Sequence, residues 1–216
     1  MLQTSNHTTS KFGYNFNIDS IAISVSISPD MTNHNNLIIR AKVFALCEHK
    51  DIFWEMISGR RLQQTEHLQE VADLVWASGG SDIEIASAWL HDMVEDTKIT
   101  LAEIEARFEN QVAANVDGLT DPPEFTDLPT AERKRRQSVR VRGKSNSVKR
   151  IKIADQTSNV RSLTVDPSKK WAEKEGELAN YIRGAKLIAD ECKGISPVLD
   201  ALFEAEYAKA AIRFGL

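Results

Sequence analysis

Two polar pairs interrupt an apolar helical segment near the middle of the chain. His91-Asp92 and Glu95-Asp96 follow residues 83–90, whose apolar side chains cover nearly the whole circumference of a predicted helix. Carboxylates in such surroundings are costly unless a positive charge compensates them. At 3.6 residues per turn, each member of the first pair lies above a member of the second, so the four groups form one patch. Taken alone, the pattern also fits a helix end that emerges into solvent.

Three further polar residues lie on predicted helices on either side of this patch. His67 precedes the apolar stripe of the preceding helix, while Asp155 and Asn159 lie one turn apart on a later helix with apolar neighbours. Each of these residues alone is equally consistent with a structural role, such as a hydrogen-bonded core histidine or an aspartate bonded to an arginine. Their order and spacing, taken together, are specific.

This arrangement resembles the HD-domain metal-dependent phosphohydrolases. Within them it is most similar to the hydrolase domain of the RelA/SpoT alarmone enzymes and their small stand-alone relatives. Residues 88–97 (AWLHDMVEDT) are similar to the family's A-x-L-H-D-x-x-E-D-T, and residues 152–163 (KIADQTSNVRSL) to its K-x-A-D-x-x-x-N-x-R-x-L. Residues 101–120 and 132–135 are also similar, so the resemblance runs from about residue 41 to residue 203.

The resemblance implies one divalent metal ion, expected to be Mn2+, with four protein ligands: His67, His91, Asp92 and Asp155. Mixed imidazole and carboxylate ligands suit such a borderline ion better than Ca2+ or Mg2+. It further implies that Glu95 and Asp96 hold and deprotonate the attacking water, and that Asn159 positions the substrate or that water. The absence of any histidine after residue 91 favours a mononuclear site.

The implied activity is removal of the 3′-pyrophosphate from a guanosine or adenosine alarmone, (p)ppGpp or (p)ppApp. Two alternatives stay open: a phosphomonoester hydrolase acting on a nucleotide or dinucleotide such as NADPH, and a non-catalytic alarmone-binding protein. Residues 52–56 and 62–68 depart from the family pattern before His67, so the base is not specified. Phe53, Trp54 and Met56 either stack a purine or pack in the core.

Basic residues are concentrated between positions 130 and 152, where ten Lys and Arg accompany one Glu in a chain of net charge −4. That overall balance does not suggest nucleic-acid binding, but a phosphate-rich substrate would require local positive charge. We predict substrate contacts from five basic residues: Lys144, Lys152, Arg60, Arg61 and Arg161. For Arg135, Arg136 and Arg140 a solvated helix face is favoured.

The elements that position these residues are predicted to be helical throughout. The expected architecture is an all-α HD-type bundle over residues 37–216, preceded by an extension (1–36) rich in Ser, Thr and Asn that is flexible or short and β-like. Helices are expected at about 37–56, from 65 to the Gly79-Gly80 pair, 81–96, from 100, 130–142, 146–163, 168–192 and 196–213, with no strand after residue 37. The sequence shows no membrane segment or secretory signal, and two unpaired cysteines fit a cytoplasmic location. Oligomeric state is not specified.

Overall fold

The structure, a computed structural model, describes residues 34–174 and 176–216 and consists mainly of α-helices. Eleven α-helices and one short 3-10 helix (Pro123–Phe125) are seen in these residues. The α-helices are α1 (His34–Glu48), α2 (Gln64–Ala77), α3 (Asp82–Trp89), α4 (Met93–Asp96), α5 (Leu101–Arg107), α6 (Asn110–Leu119), α7 (Thr130–Arg142), α8 (Asn146–Val165), α9 (Lys169–Ala172), α10 (Glu177–Cys192) and α11 (Pro197–Phe214). The predicted helical fold class is therefore confirmed. The expected extension falls almost wholly outside the described residues, and the division at residue 37 stays a prediction. In the described part of the chain, no helix has the length and apolar character needed to cross a bilayer.

Helix α8 lies at the centre of the bundle and carries the family-like motif at residues 152–163. It packs against α2, α3, α6, α10 and α11. Its apolar positions, including Ile151, Ile153 and Val160, are almost fully buried in the core. A helix buried on most sides can hold a polar side chain only where that side chain is paired, so the environment of Asp155 on this helix is informative.

The helix boundaries follow local sequence signals closely. Ser81 and Thr100 accept hydrogen bonds from the backbone N–H groups of Glu84 and Glu103, whose carboxylates bond back to the cap residues. These two capping boxes begin α3 and α5. Beyond the end of α2, Gly79 adopts a φ of +77°, a left-handed conformation that glycine accommodates without steric cost.

The expectation of no strand after residue 37 is wrong. Helix α1 ends at Glu48, and β1 (Phe53–Glu55) pairs antiparallel with β2 (Arg61–Gln63). The connecting loop contains Gly59 with a φ of +86°, which permits the tight return. The predicted helix over 37–56 includes residues 52–56, but a mainly apolar segment of this length does not distinguish a strand from a helix.

The hairpin is joined to the chain that follows α8. Ile57 N donates to the carbonyl of Pro167 at 3.0 Å, and Met56 forms an isolated antiparallel bridge with Ser168. Ser58 donates from both its backbone N–H and its hydroxyl to the carboxylate of Asp166. The hairpin is thereby held beside α8 rather than projecting into solvent.

Two predicted helices are each divided in the structure. The helix expected over 81–96 stops at Trp89, and the i to i+3 bonds Leu90 N to Ser87 O and Met93 N to Leu90 O, both 3.1 Å, form a turn before α4. The predicted stacking of His91 on Glu95 assumed a continuous helix, and that assumption is wrong. The helix expected over 168–192 is likewise divided into α9 and α10, and Gly176, with a φ of +76°, caps the second.

Candidate active site

The turn between α3 and α4 brings His91 and Asp92 beside His67 from α2. The Nε2 atom of His91 lies 3.2 Å from Asp92 Oδ1, and the Nε2 atom of His67 lies 3.8 Å from Asp92 Oδ2. The two imidazole rings are 5.2 Å apart, edge to face. One ligand atom from each of the three residues falls within 4.8 Å of the other two, a spacing that could hold a metal ion.

Asp155 completes the cluster from α8. Its Oδ1 atom lies 3.5 Å from His67 Nε2 and 4.0 Å from His91 Nε2. The same carboxylate accepts hydrogen bonds from Asn159 and from Gln156, and it forms a 3.0 Å ion pair with Lys152. The four residues predicted as ligands thus converge, although they come from three different segments of the chain.

Both histidines present an Nε2 atom toward the carboxylates because each Nδ1 atom is already engaged. His91 Nδ1 lies 2.7 Å from the carbonyl oxygen of Ala88, which can only accept a hydrogen bond. The Nδ1–H tautomer follows, and it leaves a lone pair on Nε2. That buried Nε2 atom has no hydrogen-bond partner among the described residues. A nitrogen lone pair 3–4 Å from carboxylate oxygens repels them. A cation bound by the nitrogen and the carboxylates together would remove this repulsion.

The electrostatics of the cluster also favour a positive charge. Burial works to lower the pKa of His67, but the hydrogen bond to Asp155 and the charge of Asp92 outweigh it and raise that pKa. Burial opposes the ionisation of Asp155, yet the Lys152 ammonium and His67 hold its pKa well below the usual range. The negative charge of Asp92 and Asp155 that favours the protonated imidazole would also attract a cation, so the residues fit the divalent ion that the family resemblance implies.

Glu95 and Asp96 lie on α4, directly after the cluster, with their carboxylates reaching the adjoining cavity. Burial of the carboxyl group, followed by the charge of Asp92, raises the pKa of Glu95 to about 7. Burial and the charges of Asp92 and Glu95 raise the pKa of Asp96 to about 7 as well. Glu95 Oε1 is held by the backbone N–H of Asp121 at 2.7 Å. These acids are therefore poised to exchange a proton near neutral pH.

His49, directly after the end of α1, is a further histidine beside the acidic pair. The structure buries it completely, with Nδ1 3.0 Å from the carbonyl oxygen of Ala45. Its Nε2 atom has no hydrogen-bond partner among the described residues and lies 4.0 Å from Asp96 Oδ2. Burial lowers the pKa of His49, so a neutral imidazole adjoins the acidic pair.

A cavity of about 560 Å³ opens beside the cluster. Its walls include three of the basic residues predicted as substrate contacts, namely Lys152, Arg60 and Arg161. Arg60 pairs with Glu66, and Arg161 pairs with Glu70 and Glu206. Trp54 and Met56 also line the cavity, so these two members of the apolar segment face the site.

Lys144 and Arg61 are not among the residues that line this cavity. Lys144 lies in the turn between α7 and α8, and the Arg61 guanidinium stacks on the Phe53 ring at 4.2 Å. Neither placement supports the predicted contact with substrate. Arg135 and Arg136 pair with Glu132 and are outside the cavity lining, in agreement with the surface role that the sequence favoured for them.

Sequence reasoning missed three basic residues of the cavity wall: Arg133, Lys134 and Lys170. Lys134 is only 3% exposed, and its ammonium donates to Gln156 Oε1 at 2.8 Å and lies 3.8 Å from the centre of the Tyr181 ring. Burial and the charge of Lys152 lower the pKa of Lys134 to about 7. Helical periodicity within α7 could have identified Lys134 as inward-facing, but the basic residues on either side concealed that pattern.

Comparisons with known proteins agree with this geometry. Residues 57–180 match the family model described as HD domain. The guanosine-3′,5′-bis(diphosphate) 3′-pyrophosphohydrolase of Xenopus tropicalis is 30% identical over 172 residues, which cover 79% of this chain and 92% of that protein. The human protein of the same description is 39% identical over 101 residues, or 46% of this chain and 55% of its own length.

Solved structures show the same fold. One described as a metazoan ortholog of SpoT that hydrolyzes ppGpp superimposes with a TM-score of 0.71 at 23% identity, over 80% of this chain and 94% of that chain. A Listeria monocytogenes protein gives a TM-score of 0.55 at 25% identity, over 69% and 99% of the two chains. The chain therefore belongs to the HD-domain family, within the group that includes the stand-alone 3′-pyrophosphohydrolases.

Proposed function

We propose that this protein is a metal-dependent phosphohydrolase that removes the 3′-pyrophosphate from a guanosine or adenosine alarmone, (p)ppGpp or (p)ppApp. One observation carries the proposal: the Nε2 atoms of His67 and His91 converge with the carboxylates of Asp92 and Asp155 beside a cavity that has basic walls. Its relatives include proteins described as 3′-pyrophosphohydrolases of guanosine-3′,5′-bis(diphosphate).

The metal would be held by His67, His91, Asp92 and Asp155. Two imidazoles and two carboxylates form a mixed nitrogen and oxygen donor set, for which we propose Mn2+. A divalent ion bound there would lower the pKa of a coordinated water and polarise a phosphoryl oxygen. Gln64 Nε2 donates to Asp92 Oδ2 at 2.7 Å, and Asn159 donates to Asp155 Oδ1. These two amides orient the carboxylates.

Glu95 and Asp96 would receive the proton of the attacking water. A general base works best when its pKa lies near the operating pH, and both carboxyls have a pKa raised to about 7. Lys152 and Lys170 act in the opposite direction, lowering the pKa of Glu95 and Asp96 respectively. The pKa values of Glu95 and Asp96 are thus determined by burial, by acidic neighbours that raise them and by lysines of the cavity wall that lower them.

The basic wall would bind the phosphates. Lys152 remains charged, because Asp155, Asp121 and Glu95 raise its pKa despite the opposing effect of burial. Lys134, whose pKa is about 7, would gain a full charge when a phosphate anion approaches. Arg133 lines the same wall, and its buried Nε atom has no hydrogen-bond partner among the described residues. These three groups would stabilise the charge that develops on a departing pyrophosphate.

The purine ring of the substrate would lie against the hairpin formed by β1 and β2. Trp54 donates from Nε1 to Gln64 Oε1 at 2.6 Å, which fixes the indole at the cavity edge. An indole face stacks on either purine. We therefore propose a purine alarmone without distinguishing guanine from adenine.

The test is a product assay with purified protein and Mn2+ on ppGpp, ppApp and NADPH, with EDTA as the metal-free control. Pyrophosphate released from an alarmone, abolished by EDTA and by His91→Ala, is the expected result. Arg135→Ala, a charge removal outside the cavity, should retain the activity. Free phosphate from NADPH alone, or alarmone binding without any product, would refute the proposal in favour of one of the two alternatives.

A further inference from the structure

We infer that Ser158 and Glu70 are positioning residues that determine which ring nitrogen of His67 carries its proton. The inference rests on the proposed role of His67 as a metal ligand. His67 and Glu70 lie one turn apart on α2, and Ser158 faces them from α8. The relatives' motifs do not predict this arrangement, which depends on three side chains that meet only in the folded protein.

The three side chains form a continuous chain of hydrogen bonds. His67 Nδ1 lies 2.9 Å from Ser158 Oγ, and Ser158 Oγ lies 2.7 Å from Glu70 Oε2. Ser158 is 1% exposed, so its hydroxyl is almost completely buried. The hydroxyl therefore has these two partners, one on each side.

The direction of the chain follows from the chemistry of its ends. An ionised carboxylate can only accept, so the single hydroxyl proton of Ser158 must point to Glu70. The serine oxygen then accepts from His67, which places the proton of the neutral imidazole on Nδ1. The Nε2 atom keeps its lone pair, and that is the atom that faces Asp92 and Asp155.

Arg161 holds the far end of this chain. Its Nη1 atom donates to Glu70 Oε1, and its Nε atom lies 3.2 Å from Glu206 Oε1 on α11. The guanidinium therefore engages Oε1 of Glu70 and leaves Oε2 directed at Ser158. We assign Arg161 this role, in place of the substrate contact that its sequence position suggested.

His91 offers an internal comparison. Its Nδ1 proton is directed by the main-chain carbonyl of Ala88, which no substitution can reverse. The His67 chain consists of side chains, so it can be reversed. In Glu70→Gln, the amide oxygen would face the Arg161 guanidinium and the amide N–H would donate to Ser158. The hydroxyl would then donate to His67 Nδ1, and the imidazole proton would move to Nε2.

Two measurements test the inference in the purified full-length protein. Nitrogen-15 NMR of labelled histidine reports the tautomer in the metal-free state, at a pH where the imidazole is neutral. Titration with Mn2+ alone gives the dissociation constant. For Glu70→Gln we expect the Nε2–H tautomer at His67 and a loss of Mn2+ affinity of about 10- to 100-fold, the range found for residues that orient metal ligands. Asp73→Asn, which neutralises an exposed carboxylate on the same helix, is the matched control and should bind Mn2+ as the wild type does.

The double variant Glu70→Gln/Ser158→Ala separates this role from simple packing. Removing the hydroxyl removes the group that forces the proton onto Nε2, so part of the lost Mn2+ affinity should return. Losses that add together in the double variant would overturn the inference, as would an Nδ1–H tautomer retained in Glu70→Gln. Because the tautomer is measured without metal or substrate, it remains decisive even if the protein hydrolyses no alarmone.

Discussion

Replacing Gly184 by alanine should disturb both the stability of the bundle and its active site. Gly184 lies on α10 where this helix crosses α7, and a Cβ atom placed on it would lie 2.3 Å from Lys134 Cβ and 2.5 Å from Lys134 Cγ. Carbon atoms pack at about 3.5–4.0 Å, so the helices must separate by more than about 1 Å. The obstacle is the base of a buried side chain, not a flexible tip, and it cannot swing aside.

The expected cost combines two opposing effects. Overpacking a core typically costs about 1–3 kcal/mol, and this overlap belongs at the upper end. Alanine is favoured over glycine in a helix by about 1 kcal/mol, which leaves a net destabilisation of about 2 kcal/mol. For a domain of this size that lowers the melting temperature by about 4–8 °C. Displacing the Lys134 ammonium by about 1 Å should also lower kcat/KM, by up to about 100-fold.

Gly143→Ala is the matched control for this experiment. Gly143 ends α7, the helix that carries Lys134, and a Cβ atom there would have no neighbour within 4 Å. Its φ of −89° suits any residue. Thermal melts and steady-state kinetics of both variants provide the test. If Gly184→Ala has the same melting temperature as Gly143→Ala and turns over substrate at the same rate, the close contact between α7 and α10 does not position Lys134.

Three further outcomes are expected. Mn2+ at about 100 times its dissociation constant should stabilise the protein by about 2.7 kcal/mol, and His91→Ala should show no such shift in thermal melts; an equal shift would contradict the ligand role. Because the base must be deprotonated, kcat/KM should rise with pH through about 7 and fall in acid, while Glu95→Gln should be impaired at every pH; a flat wild-type profile would exclude this base. Lys134→Met should raise KM for a polyphosphate substrate by about tenfold, since a positive charge is removed from the cavity wall. Arg135→Ala, which breaks only an exposed ion pair, should leave the melting temperature and KM nearly unchanged. A rise in KM equal to that of Lys134→Met would mean that the overall positive charge, not the cavity lysine, binds the substrate.

The sequence was most informative where local interactions dominate. The helices expected at 130–142 and 146–163 match α7 and α8 within two residues, because their caps and periodicity are local properties. It failed at residues 52–56, where the first strand of a hairpin replaced the end of the expected helix. Short apolar segments have no decisive period, and the contacts of Met56 and Ile57 with residues 167 and 168 could not be seen from the sequence.

The candidate site also has features that could be predicted from the sequence and features that depended on the fold. The resemblance to the HD-domain family implied that His67, His91, Asp92 and Asp155 form one set of ligands, and a resemblance in the order of motifs does not require a known geometry. Their convergence within 3.2–4.0 Å was a consequence of folding. The predicted contact from Lys144 was not supported, because proximity in sequence to a motif does not direct a side chain into a cavity.

By itself, the sequence determined which groups could bind a cation and which segments of the chain carry them. Only the tertiary structure decided the direction of the hydrogen bonds that prepare those groups, as in the path from His67 through Ser158 to Glu70. The physical reason is that a hydroxyl or an imidazole can both donate and accept, and its role is set by whichever partner packs against it. Ser158 and His67 are 91 positions apart, so no local pattern in the chain could have specified that partner.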